Sequence, residues 1–328
     1  MGKRIRYLDY AKGLTILVLL FSHSRGAEDQ LQTWISSWHM PIFFVICGML
    51  AFLKIERKGE FNIRQHIWQR IFNLFVPYFL FGFILIGFFT GLQYASGHSI
   101  NAGPMLFKLF TLQGIEPMWF LPTYFAAELL FIVLFRIAKT WPQVILALCL
   151  VVFFSTTDFV DSHWAIRLLC RILRGYIFVV AGFVLAQSSL VTKIHPALSA
   201  CFLLLSSTLA LHNGYCSMFN LDSQHTPLYF VDAILTSIAI LSLLASLDRH
   251  LSHNMRLLNY FGQNTIIIVC TNNLVIETLR LADFKLSGNT LLHSGLAGSF
   301  VLFVLVAIIE LAFIEIFKGR FTAPKLRQ

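Results

Sequence analysis

Charge is what this sequence has least of. Asp, Glu, Lys and Arg make up 12% of its 328 residues, while 57% are apolar and 15% aromatic. Soluble domains are about a quarter charged and about half apolar. The mean hydropathy is +0.73. So little charge does not cover so much apolar surface, and the composition excludes a water-soluble fold. No segment free of apolar runs is long enough for a separate soluble domain. No internal repeat, low-complexity tract or linker interrupts the chain, so one domain over residues 1–328 is expected.

Several kinds of chemistry are missing as well. There is no P-loop, no G-x-G-x-x-G after a strand, no G-x-S-x-G elbow, no H-E-x-x-H and no paired-carboxylate metal cluster. Cys47, Cys149, Cys170, Cys201 and Cys270 fall in apolar runs and Cys216 in a loop, with no C-x-x-C or Cys/His spacing. They read as small buried hydrophobes, and no metal is expected. The N-terminus is basic and then apolar, like a signal peptide, but Lys12 interrupts the run and no A-x-A site follows. An uncleaved first span is expected. The formal net charge of +9 sits in short loops beside apolar runs, where it sets topology rather than binding nucleic acid.

What the chain has is apolar runs of the right length. A membrane-spanning helix needs about 20 apolar residues. Ten candidates lie near 9–24, 35–53, 70–91, 119–136, 143–157, 168–187, 196–212, 228–247, 262–280 and 295–317, the first and fifth being short. The pattern predicts an all-α polytopic protein embedded in a lipid bilayer. An even count puts both termini on one side. Lys3, Arg4, Arg6, Lys54, Arg57, Lys58, Arg64, Arg136, Lys139, Lys193, Arg249, Arg256, Lys318, Arg320, Lys325 and Arg327 fall on that side. Arg25, Lys108, Arg280 and Lys285 fall opposite, with Arg167 at an edge. The bias places both termini in the cytoplasm. The longest outer connection, near 92–118, is predicted to hold a short interfacial helix around Met105–Leu112.

Ionisable groups inside such spans are costly and face a cavity or one another. Ten residues separate Lys12 from His23 in the first span. At 100° per residue the two return to within about 20° on the helix surface, about 16 Å apart along one stripe. Asp9 lies one turn before Lys12 near the same stripe. His39 opens the second span, and the short connection predicts that both histidines lie at similar depth. Two imidazoles at the rim of a polar cavity suit acid–base work near neutral pH; two wet interfacial histidines fit the same spacing. Lys12 and Arg70, toward the cytoplasmic face, suit a phosphate-bearing ligand or snorkel to headgroups. Arg171 and Arg174 continue a helix face from Arg167, fit either an anionic acceptor or a carboxylate such as Glu128, and lie too deep to mark topology alone. Glu277 and Glu310 are ambiguous. Thr271, Asn272 and Asn273 read as polar glue between helices.

Several stretches together resemble the membrane-bound acyltransferase-3 family. They are LDYAKGLTILVLLFSH, WHMPIFFVICGML, QRIFNLFVPYFLF, WFLPTYFAAELLF, RGYIFVVAGFVLAQ and YFGQNTIIIV. The first two carry most of the specificity. The resemblance implies a ten-helix domain in the bacterial plasma (inner) membrane that O-acylates surface carbohydrates. It implies acetyl-CoA as donor substrate, a carbohydrate acceptor, and other glycan-assembly proteins as partners. By position, it implies His23 as catalytic base with His39 beside it. It puts Lys12 and Arg70 at the coenzyme; from their own positions Asp9 is expected beside Lys12 there, and Arg171, Arg174, Glu128 and Trp119 are expected at the acceptor. The second arginine of the family's R-x-x-R form is absent, with Asn73 in its place. Where members often carry a histidine in the ninth span, this chain reads CTNN. No appended esterase-like domain is expected. Two other readings use the same residues: a transporter of a small acid or glycan precursor, and a non-catalytic partner in a glycan-assembly complex.

Overall fold

The computed structural model describes residues 5–25, 29–57, 62–97, 99–250, 255–287 and 295–321. Lys3, Arg4, Lys58, Lys325 and Arg327, counted above for topology, lie outside the described residues. Among the described residues there is no strand, only one isolated bridge between Ser217 and Asp222.

The chain runs through α1 (Arg6–Ser24), α2 (Gln30–Trp38), α3 (Pro41–Arg57), α4 (Ile63–Ala95) and α5 (Gly103–Phe110). A 3-10 turn (Glu116–Trp119) leads into α6 (Phe120–Ile137), α7 (Thr140–Thr156), α8 (Trp164–Ser188) and the single turn α9 (Leu190–Lys193). The rest is α10 (Pro196–Asn213), α11 (Thr226–His250), α12 (Arg256–Gln263), α13 (Thr265–Ser287) and α14 (Gly295–Phe317). Eight segments are long and apolar enough to cross a membrane: α2 with α3, α4, the 3-10 turn with α6, α8, α10, α11, α13 and α14. The protein is an all-α, multi-pass membrane protein. The other two expected spans are helices as well. α7 is apolar but has only 17 residues, and α1 carries Arg6, Asp9 and Lys12 in its first half.

Local chemistry explains the boundaries. Asp29 caps α2 by accepting from the Gln32 amide at 2.9 Å, and Asn62 caps α4 through Gln65 at 3.1 Å. The second expected span is broken between Trp38 and Pro41, because proline has no amide proton to continue the ladder. Two hydroxyls of α1 are satisfied within the helix: Thr15 donates to the Ala11 carbonyl and Ser24 to that of Leu20, both at 2.8 Å.

The chain forms two compact units. One comprises the described residues of 1–18, 28–61 and 126–263; the other those of 19–27, 62–125 and 264–328. In the first, α3 packs along α8 with backbone against backbone. A Cβ on Gly48 would stand 1.9 Å from the Val179 carbonyl oxygen, and one on Gly182 1.9 Å from that of Val45. These small residues let two helices approach without lipid between them. In the same unit α12 lies on the first half of α1, where a Cβ on Gly13 or Gly262 would meet the carbonyl oxygen of Leu258 or Asp9 within 2 Å.

In the second unit, α5 docks on α4. Tyr78 donates to the Leu109 carbonyl at 2.9 Å, and the Leu109 side chain fills the space over Gly82. A short helix is expected from the sequence around Met105–Leu112, and α5 is that helix, placed two residues earlier. The adjoining turn needs Gly114, whose φ is +79° and whose Cβ would stand 2.2 Å from the Trp119 nitrogen. α13 packs against α4, α14 and the 3-10 turn.

Candidate active site

Each unit holds some of the residues singled out from the sequence. In the second unit, His23 sits on the last turn of α1 and is half-buried. Its Nδ1 lies 3.1 Å from Oδ1 of Asn272, a fully buried residue of α13. The Asn272 amide nitrogen donates to the carbonyls of Ile268, at 2.8 Å, and Val269, at 3.0 Å. Arg280, two turns on along α13, donates from Nη2 to the His23 carbonyl at 3.0 Å and from Nη1 to Glu277 Oε1 at 2.7 Å. The carbonyls at a helix C-terminus lack intrahelical partners, so this guanidinium caps α1 at the residue that carries the imidazole. Next to Asn272, Thr271 donates to Glu310 Oε2 at 2.7 Å and ties α13 to α14. Thr271 and Glu310 thus act between helices, whereas Asn272 reaches the histidine.

Two more expected residues lie in this unit. The Arg70 guanidinium stands over the Tyr124 ring, 5.7 Å from its centroid, and Phe75 meets Phe125 edge-on at 5.3 Å. Those contacts join the stretches QRIFNLFVPYF and WFLPTYF. Trp119 closes the 3-10 turn and is buried.

In the first unit, Lys12 Nζ lies 2.6 Å from Asp9 Oδ1, one turn away on α1. Asp9 is buried and Lys12 keeps partial access. Lys54 Nζ lies 3.9 Å from Glu128 Oε1. His39 is buried where α2 breaks, with Nδ1 2.7 Å from the Ile35 carbonyl. Arg171 and Arg174 are buried on α8 and reach the loop between α10 and α11. Arg171 donates to the Phe219 carbonyl at 2.7 Å and lies 4.1 Å from the Phe219 ring centroid. Arg174 donates to the Leu221 carbonyl at 2.9 Å. Both arginines therefore meet main-chain oxygens. The loop also encloses Cys216, whose thiol burial pushes up to about 12, with Asp232 and Asp222 adding to the rise and Arg174 opposing it. Asp232 is fully buried on α11, and neither carboxylate oxygen has a hydrogen-bond partner among the described residues. In the sequence it is a lone carboxylate within an apolar run, with no motif around it to mark a role.

Among the described residues no group of three or more His, Cys, Asp or Glu is placed to hold a metal ion. A cavity of about 560 Å³ between α7, α8 and α11 is lined mostly by apolar residues such as Trp141, Ile177, Val180 and Phe230, with Thr140, Gln187 and Ser188 as its polar members and no ionisable side chain.

The lysine paired with a buried carboxylate, the histidine beside an amide and the glycine-mediated helix pair all fall on stretches that resemble one family. The acyltransferase-3 model, described as an acyltransferase domain, matches residues 5–312. Comparison with curated proteins and with solved structures gave no match. The match runs over nearly the whole chain, and the protein belongs to the acyltransferase-3 family of membrane acyltransferases.

Proposed function

We propose that the protein is a bacterial plasma-membrane O-acetyltransferase. It takes the acetyl group from cytoplasmic acetyl-CoA and places it on a hydroxyl of a surface carbohydrate or its lipid-linked precursor. The observation that carries this reading is α1 itself. One unbroken helix bears Lys12 near its start and His23 near its end, each with its polar partner in place. The helix rise between them, about 16 Å, is half of a bilayer core. Lys12, steadied by Asp9, holds the anionic end of the coenzyme. His23 takes the proton of the acceptor hydroxyl as its oxygen attacks the thioester carbonyl. The tetrahedral intermediate collapses, the C–S bond breaks, and the departing thiolate takes the proton from the imidazolium. The products are an acetyl ester and the CoA thiol.

In the same reading Arg70 takes a donor phosphate and His39 assists proton movement. Trp119, Glu128, Arg171 and Arg174 serve the acceptor. Nε and Nη1 of Arg174 are buried and have no hydrogen-bond partner among the described residues.

The test is mass spectrometry of surface glycans from cells carrying wild-type protein or His23→Ala. Loss of the acetyl ester by about 10²- to 10⁴-fold, the contribution of a general base, is expected, with the variant still extracted from membranes. Unchanged acetylation overturns the reading. Saturable binding of labelled acetyl-CoA to purified protein separates this enzyme from a transporter.

A further inference from the structure

We infer that Asn272 is a positioning residue that selects the tautomer of His23 and leaves Nε2 as the basic nitrogen. The inference rests on His23 being the base of the proposed transfer, and it starts from the amide. A primary amide presents an acceptor at one end and two donors at the other. The end of Asn272 assigned as nitrogen faces two carbonyl oxygens, those of Ile268 and Val269 at 2.8 and 3.0 Å. Reversing the amide would set its oxygen against both. The hydrogen-bond pattern therefore fixes the orientation, which an amide's shape alone does not.

With the nitrogen so placed, Oδ1 faces His23 Nδ1 at 3.1 Å. Oδ1 only accepts, so Nδ1 must carry the proton. In a neutral imidazole Nε2 is then the lone-pair nitrogen. No group among the described residues hydrogen-bonds to Nε2, so that lone pair is open to an acceptor hydroxyl. The second fixed point is the backbone. Arg280 Nη2 holds the His23 carbonyl at 3.0 Å, so α13 grips both main chain and ring of one residue. A hydroxyl group delivers its proton to Nε2, and the charge that develops on the imidazolium is shared through Nδ1–H with the Asn272 oxygen. This is the role an orienting carboxylate plays in a hydrolytic triad, here filled by a neutral amide. A neutral partner suits a site inside a membrane, where an added carboxylate would be costly.

The experiment uses full-length protein with ¹⁵N-labelled histidine, reconstituted in phospholipid bilayers, and reads the two ring nitrogens of His23 by solid-state NMR. Subtracting the spectrum of His23→Ala identifies its signals. Wild type should show a protonated Nδ1 and an unprotonated Nε2. In Asn272→Leu the proton should move to Nε2 in part or whole. Asn272→Asp, as the neutral acid, keeps an acceptor toward His23 and a donor toward a carbonyl, and should retain the wild-type tautomer. In membranes supplied with ¹⁴C-acetyl-CoA, Asn272→Leu should lower the maximal transfer rate by about 10²-fold, the lower end of what a general base supplies. The donor KM should stay within about twofold, because Asn272 does not touch the coenzyme's anionic end. A wild-type Nε2–H signal, or an unchanged tautomer in Asn272→Leu, overturns the inference. A rate loss in folded Asn272→Asp as large as in Asn272→Leu overturns it too. Retained transfer in His23→Ala overturns the proposed base instead, whatever the tautomer.

Discussion

Lys12 has its counter-charge within its own helix. The pair with Asp9 leaves the ammonium partly accessible while the carboxylate is buried. Asp9 therefore fixes where the cation points, and in the proposed reaction an incoming phosphate would share it. Lys12→Gln should raise the KM for acetyl-CoA about tenfold, the equivalent of one charge-assisted contact of about 1.4 kcal/mol, with a much smaller change in maximal rate. Steady-state transfer of labelled acetyl groups in membranes checks this; an unchanged KM removes Lys12 from the coenzyme. Cys216 allows a second test at this scale. Its thiol is fully buried and pushed up to about 12, so hardly any thiolate exists at pH 8. In a variant with Cys216 as the sole cysteine, maleimide should label the protein only after denaturation.

At the level of elements, the close approach of α3 and α8 is set by glycine. A methyl group at Gly48 or Gly182 collides with main-chain carbonyl oxygen, which cannot rotate away. Gly48→Ala should destabilise the protein by about 1–3 kcal/mol, as overpacking does. Gly87→Ala, where nothing lies within 4 Å, should be neutral. Thermal inactivation in detergent compares the two. The same elements show what can be read from sequence. Apolar runs located the ten long helical stretches because hydropathy depends on composition alone. The break at Pro41 was hidden, since hydropathy stays high across it. α12 was hidden for the opposite reason: its short, two-faced sequence RLLNYFGQ averages out in any hydropathy window. Lys12 and His23 were legible because one helix carries both. The Asn272 contact was not, because 249 residues separate it from His23 and only tertiary packing joins them.

For the whole molecule the open quantity is sidedness. Eight segments satisfy length and hydropathy, and α1 and α7 complete the ten expected. Either count leaves both termini on one side, but the connections between α1 and α7 change sides. Ser99, exposed in the connection between α4 and α5, distinguishes them. With the N-terminus cytoplasmic, ten spans place Ser99 outside and eight place it inside. Ser99→Cys in a cysteine-free background should react with an impermeant maleimide added to intact spheroplasts. Protection that is lost on permeabilisation would mean that α1 and α7 do not cross.

The loop held by Arg171 and Arg174 is anchored through the Phe219 and Leu221 carbonyls. Every amino acid supplies that oxygen. The anchors therefore constrain the path of the loop while leaving exposed positions such as Asn220 open to replacement. A designer could vary the chemistry of this loop by diversifying its side chains on an unchanged frame.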